Sequence, residues 1–72
     1  MTIRMRDSIT DALLQHAKGQ IIKHKMNVEV YLNNPAGIGE HPDVMAAIES
    51  EINAIAQAHE KIQVINHYFL IR

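Results

Sequence analysis

The sequence predicts an all-α protein made of two long amphipathic helices folded into an antiparallel hairpin. Apolar residues recur at alternating intervals of three and four over two long segments, which is the spacing of one helical face. A segment rich in proline, glycine and asparagine, residues 33–43, separates them and is typical of a helix–helix connection. Aromatic residues make up only 4% of the 72-residue chain, so the core must be built from aliphatic side chains that suit packed helices.

The first helix is predicted over about residues 7–33. Ser8-Ile9-Thr10-Asp11 resembles an N-terminal capping box, with aspartate replacing the usual glutamate. Asn33-Asn34-Pro35 is expected to end the helix, because the residue before a proline is pushed out of the α region. The predicted apolar face consists of Leu14, Ala17, Ile21, His24, Val28, Tyr31 and Leu32.

The second helix is predicted over about residues 42–69. Pro42 suits the first helical position, where its missing N–H costs nothing, and Asp43 follows in the first turn, where a negative charge is favoured. A stripe with heptad spacing is interrupted at Glu51. Its apolar members are Val44, Ile48, Ile55, Ala58, Ile62, Ile65 and Phe69.

A short connection between helices makes them antiparallel neighbours. Folding the chain at its proline- and glycine-rich segment brings residues level when their numbers add up to about 75. Leu14 then meets Ile62, and His24 meets Glu51. The apolar stripes of the two helices therefore match, which supports a single hairpin domain spanning residues 1–72.

The hairpin is expected to complete its core by association. A chain of this size without cysteine lacks the disulfides that stabilise many small folds, and its apolar faces are wider than two helices can enclose. The sequence therefore predicts a homodimeric four-helix bundle. The candidate interface residues are Ile22, Met26, Val30, Met45 and Ile52.

The predicted function is non-enzymatic, and acts through homo-oligomerisation and protein–protein association. No Ser-His-Asp arrangement or phosphate-loop motif is present in the sequence, and no cofactor is expected. The N-terminus lacks the apolar region of a signal peptide, and no apolar run approaches the ~20 residues of a membrane span. We therefore expect a soluble cytoplasmic protein with no membrane partner.

Two other functions are weighed against association. Residues 1–36 hold five Arg/Lys and three Asp/Glu, so a basic helix 1 could contact nucleic acid. The basic residues are interleaved with acidic ones and form no single stripe, however, and the net charge of the chain is −1, which disfavours nucleic acid as a partner. The second alternative is a metal-binding bundle, which the absence of a Glu-x-x-His motif disfavours. Its candidate ligands are His16, His24, Glu51 and His59.

The connecting segment offers a further candidate site, because loops carry function disproportionately. A role in partner binding is weighed against a structural one, in which the two glycines supply unusual backbone dihedral angles and the isoleucine packs on the end of the core. The residues concerned are Gly37, Ile38, Gly39, Glu40 and His41.

Residues 27–43, with their Asn-Pro-Ala-Gly-Ile-Gly-Glu-His-Pro-Asp stretch, resemble a group of short uncharacterised proteins of tailed phages, including marine cyanophages. The resemblance continues through Ala47-Ile48-Glu49 to Tyr68-Phe69 and so covers most of the chain. That family has no assigned activity, so it supplies no catalytic residues. The resemblance implies a phage origin and a setting in the host cytoplasm. A phage or host protein is a further candidate partner besides a second copy of the chain.

Overall fold

A computed structural model describes residues 4–33 and 43–70. They form two α-helices, α1 (Met5–Asn33) and α2 (Val44–Tyr68), which pack against each other. The described residues include no β-strand. The all-α fold and the helical hairpin predicted from the sequence are confirmed.

Two hydrogen bonds between the helices define their register. Near the middle, Nδ1 of His24 donates to Oε2 of Glu51 over 2.5 Å. At the end of the hairpin farthest from residues 33 and 43, Nη2 of Arg6 donates to the carbonyl oxygen of Phe69 over 2.6 Å. Because Arg6 lies early in α1 and Phe69 directly after α2, the helices are antiparallel. Both pairs have the register expected from the sequence.

The line of contact between the helices is built on small side chains. Ala17 and Ala58 retain only 3% and 2% of their accessible surface, and they lie level with each other in the same register. Extending this line at heptad spacing gives two contact columns. The contact column of α1 is Thr10, Ala17, His24 and Tyr31, and that of α2 is Val44, Glu51, Ala58 and Ile65.

The N-terminus of α1 differs from the prediction. The helix begins at Met5, and the amide of Ser8 already donates to the carbonyl oxygen of Arg4 at 3.1 Å. Ser8 therefore lies inside the helix, and its predicted role in a capping box is wrong. Thr10 is buried, and its hydroxyl donates back to the carbonyls of Arg6 and Asp7, both at 3.0 Å. These bonds satisfy the buried hydroxyl within its own helix.

The ends of α2 are close to those predicted. The helix begins at Val44 and follows Asp43, whose side chain makes no capping hydrogen bond. At the other end, the amides of Phe69 and Leu70 both donate to the carbonyl oxygen of Ile65. The Arg6 guanidinium then caps Phe69, since a cation is favourable where a helix presents free carbonyls. Pro42 lies outside the described residues.

The hairpin is a single layer of helices. Its extents are 55 × 21 × 14 Å and its radius of gyration is 16.6 Å, whereas a compact domain of this length has a radius of gyration of about 11 Å. Among the described residues, no large side chain is fully buried. Within the same residues, neither helix is long and apolar enough to cross a membrane.

A substitution at Ile55 tests which face of α2 packs in the core. It is half-buried beside the contact columns, so Ile55→Asp places an unpaired charge against aliphatic side chains. We expect the substitution to remove at least about 2 kcal/mol of stability, measured by thermal denaturation followed by circular dichroism. Asn53→Asp adds the same charge at an exposed position on the same helix and should melt like the wild type. Equal melting of the two variants would contradict the assignment.

Candidate association surface

The two sides of the hairpin differ in polarity. Residues four positions after each contact-column member lie on one side of both helices, and residues three positions after it lie on the other. The first side carries six half-buried aliphatic residues: Leu14, Ile21, Val28, Ile48, Ile55 and Ile62. The second side carries Leu13, Gln20, Asn27, Ala47, Ala54, Lys61 and Tyr68. One side is therefore strongly apolar, and the other is mixed.

We name the apolar side the open face. It comprises the six half-buried aliphatic residues just given and four exposed residues on its margin: Leu32, Met45, Ile52 and Phe69. Leu32 and Phe69 were predicted to lie in the apolar faces that pair within the hairpin, but each retains about half of its surface or more. They lie beyond the line along which the two helices touch.

The five predicted interface residues are all exposed, but they do not share one surface. Met45 and Ile52 border the open face on α2, as helical spacing requires. Ile22, Met26 and Val30 lie on α1 away from its line of contact with α2. A single partner seated on the open face would therefore contact two of the five.

The mixed side holds a small cleft towards the free ends of the helices. Its volume is about 290 Å³ and its lining is mainly apolar. The apolar walls come from Leu13, Ala17, Val64 and Ile65. The sequence does not predict this cleft, because Leu13 and Val64 fall outside the main apolar stripes and come together only when the helices pair.

A polar cluster interrupts the contact columns halfway along the hairpin. Oε2 of Glu51 accepts hydrogen bonds from Nδ1 of His24 at 2.5 Å and from Nδ2 of Asn27 at 3.1 Å. The side chains of His24 and Glu51 retain 22% and 20% of their accessible surface. The pairing of His24 with Glu51 was expected from the register. Asn27 was not, although it follows His24 by one helical turn on the same side.

These contacts alter the acidity of the carboxyl group. The hydrogen bond from His24 is the largest influence lowering the pKa of Glu51, followed by the hydrogen bond from Asn27, while burial opposes them. Weaker attraction to the charges of His24 and Lys23 acts in the same direction as the hydrogen bonds. The ionised form of Glu51 is therefore the form that stabilises the folded protein.

The candidate metal ligands do not converge in the described residues. His24 meets Glu51, but His16 and His59 are exposed, and Nε2 of His59 accepts a hydrogen bond from Gln63 on its own helix. Within the two described segments, no three His, Asp or Glu side chains are grouped to hold a metal ion. The loop candidates Gly37, Ile38, Gly39, Glu40 and His41 lie outside the described residues.

The chain matches no protein-family model, and it has no match among the curated proteins or the solved structures.

The lowered pKa of Glu51 predicts a pH dependence of stability. A carboxyl group whose pKa is lowered by folding contributes its full stabilisation above the ordinary glutamate pKa of about 4.3, and this is lost as the pH falls through the lowered value. We expect the wild type to melt above Glu51→Gln at pH 6, with the gap narrowing below about pH 4. Thermal melts between pH 3 and pH 6 measure this.

Glu49→Gln is the matched control, because it removes the same charge from an exposed position on the same helix. It should follow the pH dependence of the wild type. A gap between Glu51→Gln and the wild type that stayed constant over the whole pH range would show that the Glu51 carboxylate does not act as described.

Proposed function

We propose that the protein is a non-enzymatic association module whose hairpin pairs with a second copy, open face to open face, to form a four-helix bundle. The observation that carries the proposal is the incomplete core. A helix buries its apolar stripe only against another element, and stable domains contain at least two packed layers. The hairpin supplies one layer, and its most apolar side has no covering within the described chain.

The area of exposed surface supports the same proposal. The chain has 5978 Å² of accessible surface, whereas a folded monomer of 8.2 kDa has about 4500 Å². The excess of roughly 1500 Å² is more than the ~800 Å² that each partner buries in a standard interface. A second hairpin, which presents the same open face, is large enough to cover this surface.

Association is favoured over catalysis by the state of the polar cluster. Its imidazole and its amide both hydrogen-bond to its carboxylate across the line of contact between the helices. A polar group placed in an otherwise apolar contact is well suited to fixing register. We therefore assign His24, Asn27 and Glu51 a role in specifying how the helices align.

The phage setting remains a prediction that rests on the resemblance of residues 27–43. If the protein is phage-encoded, it acts in the host cytoplasm, and the homodimer is the form that would meet a further phage or host protein. The alternatives of nucleic-acid and metal binding gain no specific support from the described residues.

The molecular mass in solution tests the proposal directly. At micromolar concentration, light scattering after size exclusion should give twice the chain mass of 8.2 kDa. A monomer of 8.2 kDa that melts cooperatively would reject the proposal, because it would show that the open face needs no covering.

Two double variants of equal charge locate the interface. Met45→Glu with Ile52→Glu places two carboxylates on the margin of the open face. Ser50→Glu with Gln57→Glu places two on the mixed side of the same helix, with the same seven-residue spacing and at exposed positions. Sedimentation equilibrium should show the first pair weakening dimerisation at least ~100-fold, since each lost apolar contact costs about 1.5–3 kcal/mol. The second pair should leave dimerisation near wild type, and the reverse ranking would contradict the assigned face.

A further inference from the structure

We infer that the two hairpins pair about a twofold axis parallel to the helices, so that each α1 lies against α2 of the partner subunit. This inference rests on the proposed dimer and specifies its arrangement. Two antiparallel hairpins can stack face to face in two symmetric ways. In the second way the axis is perpendicular to the helices, and each α1 lies against the other α1. The connected ends of the hairpins, near Asn33 and Asp43, then point in opposite directions.

The distribution of apolar residues along the open face favours the parallel axis. One position after each contact-column member, the half nearer the connected end presents three exposed apolar residues, Leu32, Met45 and Ile52, and one charged residue, Lys25. The matching positions in the other half are all polar or charged: Asp11, Lys18, His59 and Asn66. A perpendicular axis at mid-length would place the mainly apolar half of the margin of one subunit against the polar half of the margin of the other.

Rotation about a parallel axis leaves every residue at its own height along the bundle. The register within one hairpin therefore also holds between α1 and α2 of the partner subunit. Leu32 comes level with Met45 of the partner subunit. These exposed apolar residues thus meet each other, which keeps them out of water.

The charges of the two helices favour the same arrangement. In the described residues, the α1 segment carries five Arg/Lys and three Asp/Glu, and the α2 segment carries one lysine and four Asp/Glu. A parallel axis sets the basic helix against the acidic helix of the partner. Exposed Lys25 then lies level with Glu49 of the partner subunit. A perpendicular axis would set basic against basic and acidic against acidic, and opposed like charges disfavour an arrangement.

The outermost column of α2 allows a direct test, because its residues are exposed and equivalent by heptad spacing. It consists of Ala46, Asn53, Glu60 and His67. The native chain has no cysteine, so each can be replaced singly by cysteine in the full chain and spin-labelled. Pulsed electron paramagnetic resonance then measures the distance between the two labels of each dimer. Circular dichroism and sedimentation confirm that each labelled variant folds and associates like the wild type.

A parallel axis predicts nearly the same distance at all four positions, because the labels always lie at equal height. A perpendicular axis predicts a steep change along the column: the axial separation grows by about 3 Å per residue from the axis, twice the helical rise. Over this column at least one end pair would then be about 30 Å apart along the bundle. Such a gradient would overturn the inference and leave the dimer intact. If no distance between the labels of two subunits were detected at any of the four positions, the proposed dimer would be rejected.

Discussion

Two helices lying side by side can bury only the line along which they touch, and this constraint governs the whole structure. Much of the line is occupied by small or polar side chains, with Ala17 and Ala58 at its most buried point. Small residues there let the helices lie close together, but they remove little apolar surface from water. Most of the larger aliphatic residues are left beside the line, half-covered. The stability of the fold therefore depends on what covers that side.

The polar cluster is placed where it constrains alignment most. His24 and Glu51 occupy the contact columns, and Asn27 donates a second hydrogen bond to the carboxylate from the mixed side of the hairpin. A shift of one helix by a single turn would remove both hydrogen-bond donors from the carboxylate. The carboxylate would then be an unsatisfied polar group, which costs free energy. The cluster and the aliphatic columns thus select the same register. The cluster opens towards the mixed side, so a partner on the open face would leave it accessible to water.

The polarity of the margin changes along the length of the hairpin, whereas the net charge differs between its two helices. The margin positions that directly follow the contact columns are mainly apolar near the connected end and polar near the free ends, while charge distinguishes α1 from α2. A patterned surface of this kind favours one mode of self-association over others, since mismatched halves and like charges act against the alternatives. Ile22, Met26 and Val30 lie away from the proposed dimer interface.

The sequence alone determined the two helices and their register, because heptad spacing and the connecting segment are local properties. His24 was paired correctly with Glu51 on this basis. Only the tertiary structure decided which side of the hairpin is left open, that Asn27 joins the cluster, and that Leu32 and Phe69 remain exposed. It also placed Thr10 inside the contact, where the sequence predicts a capping box. The hydroxyl of Thr10 tolerates this position since it bonds to carbonyls of its own helix. These features depend on how far one helix is rotated against the other, which helical periodicity leaves undetermined.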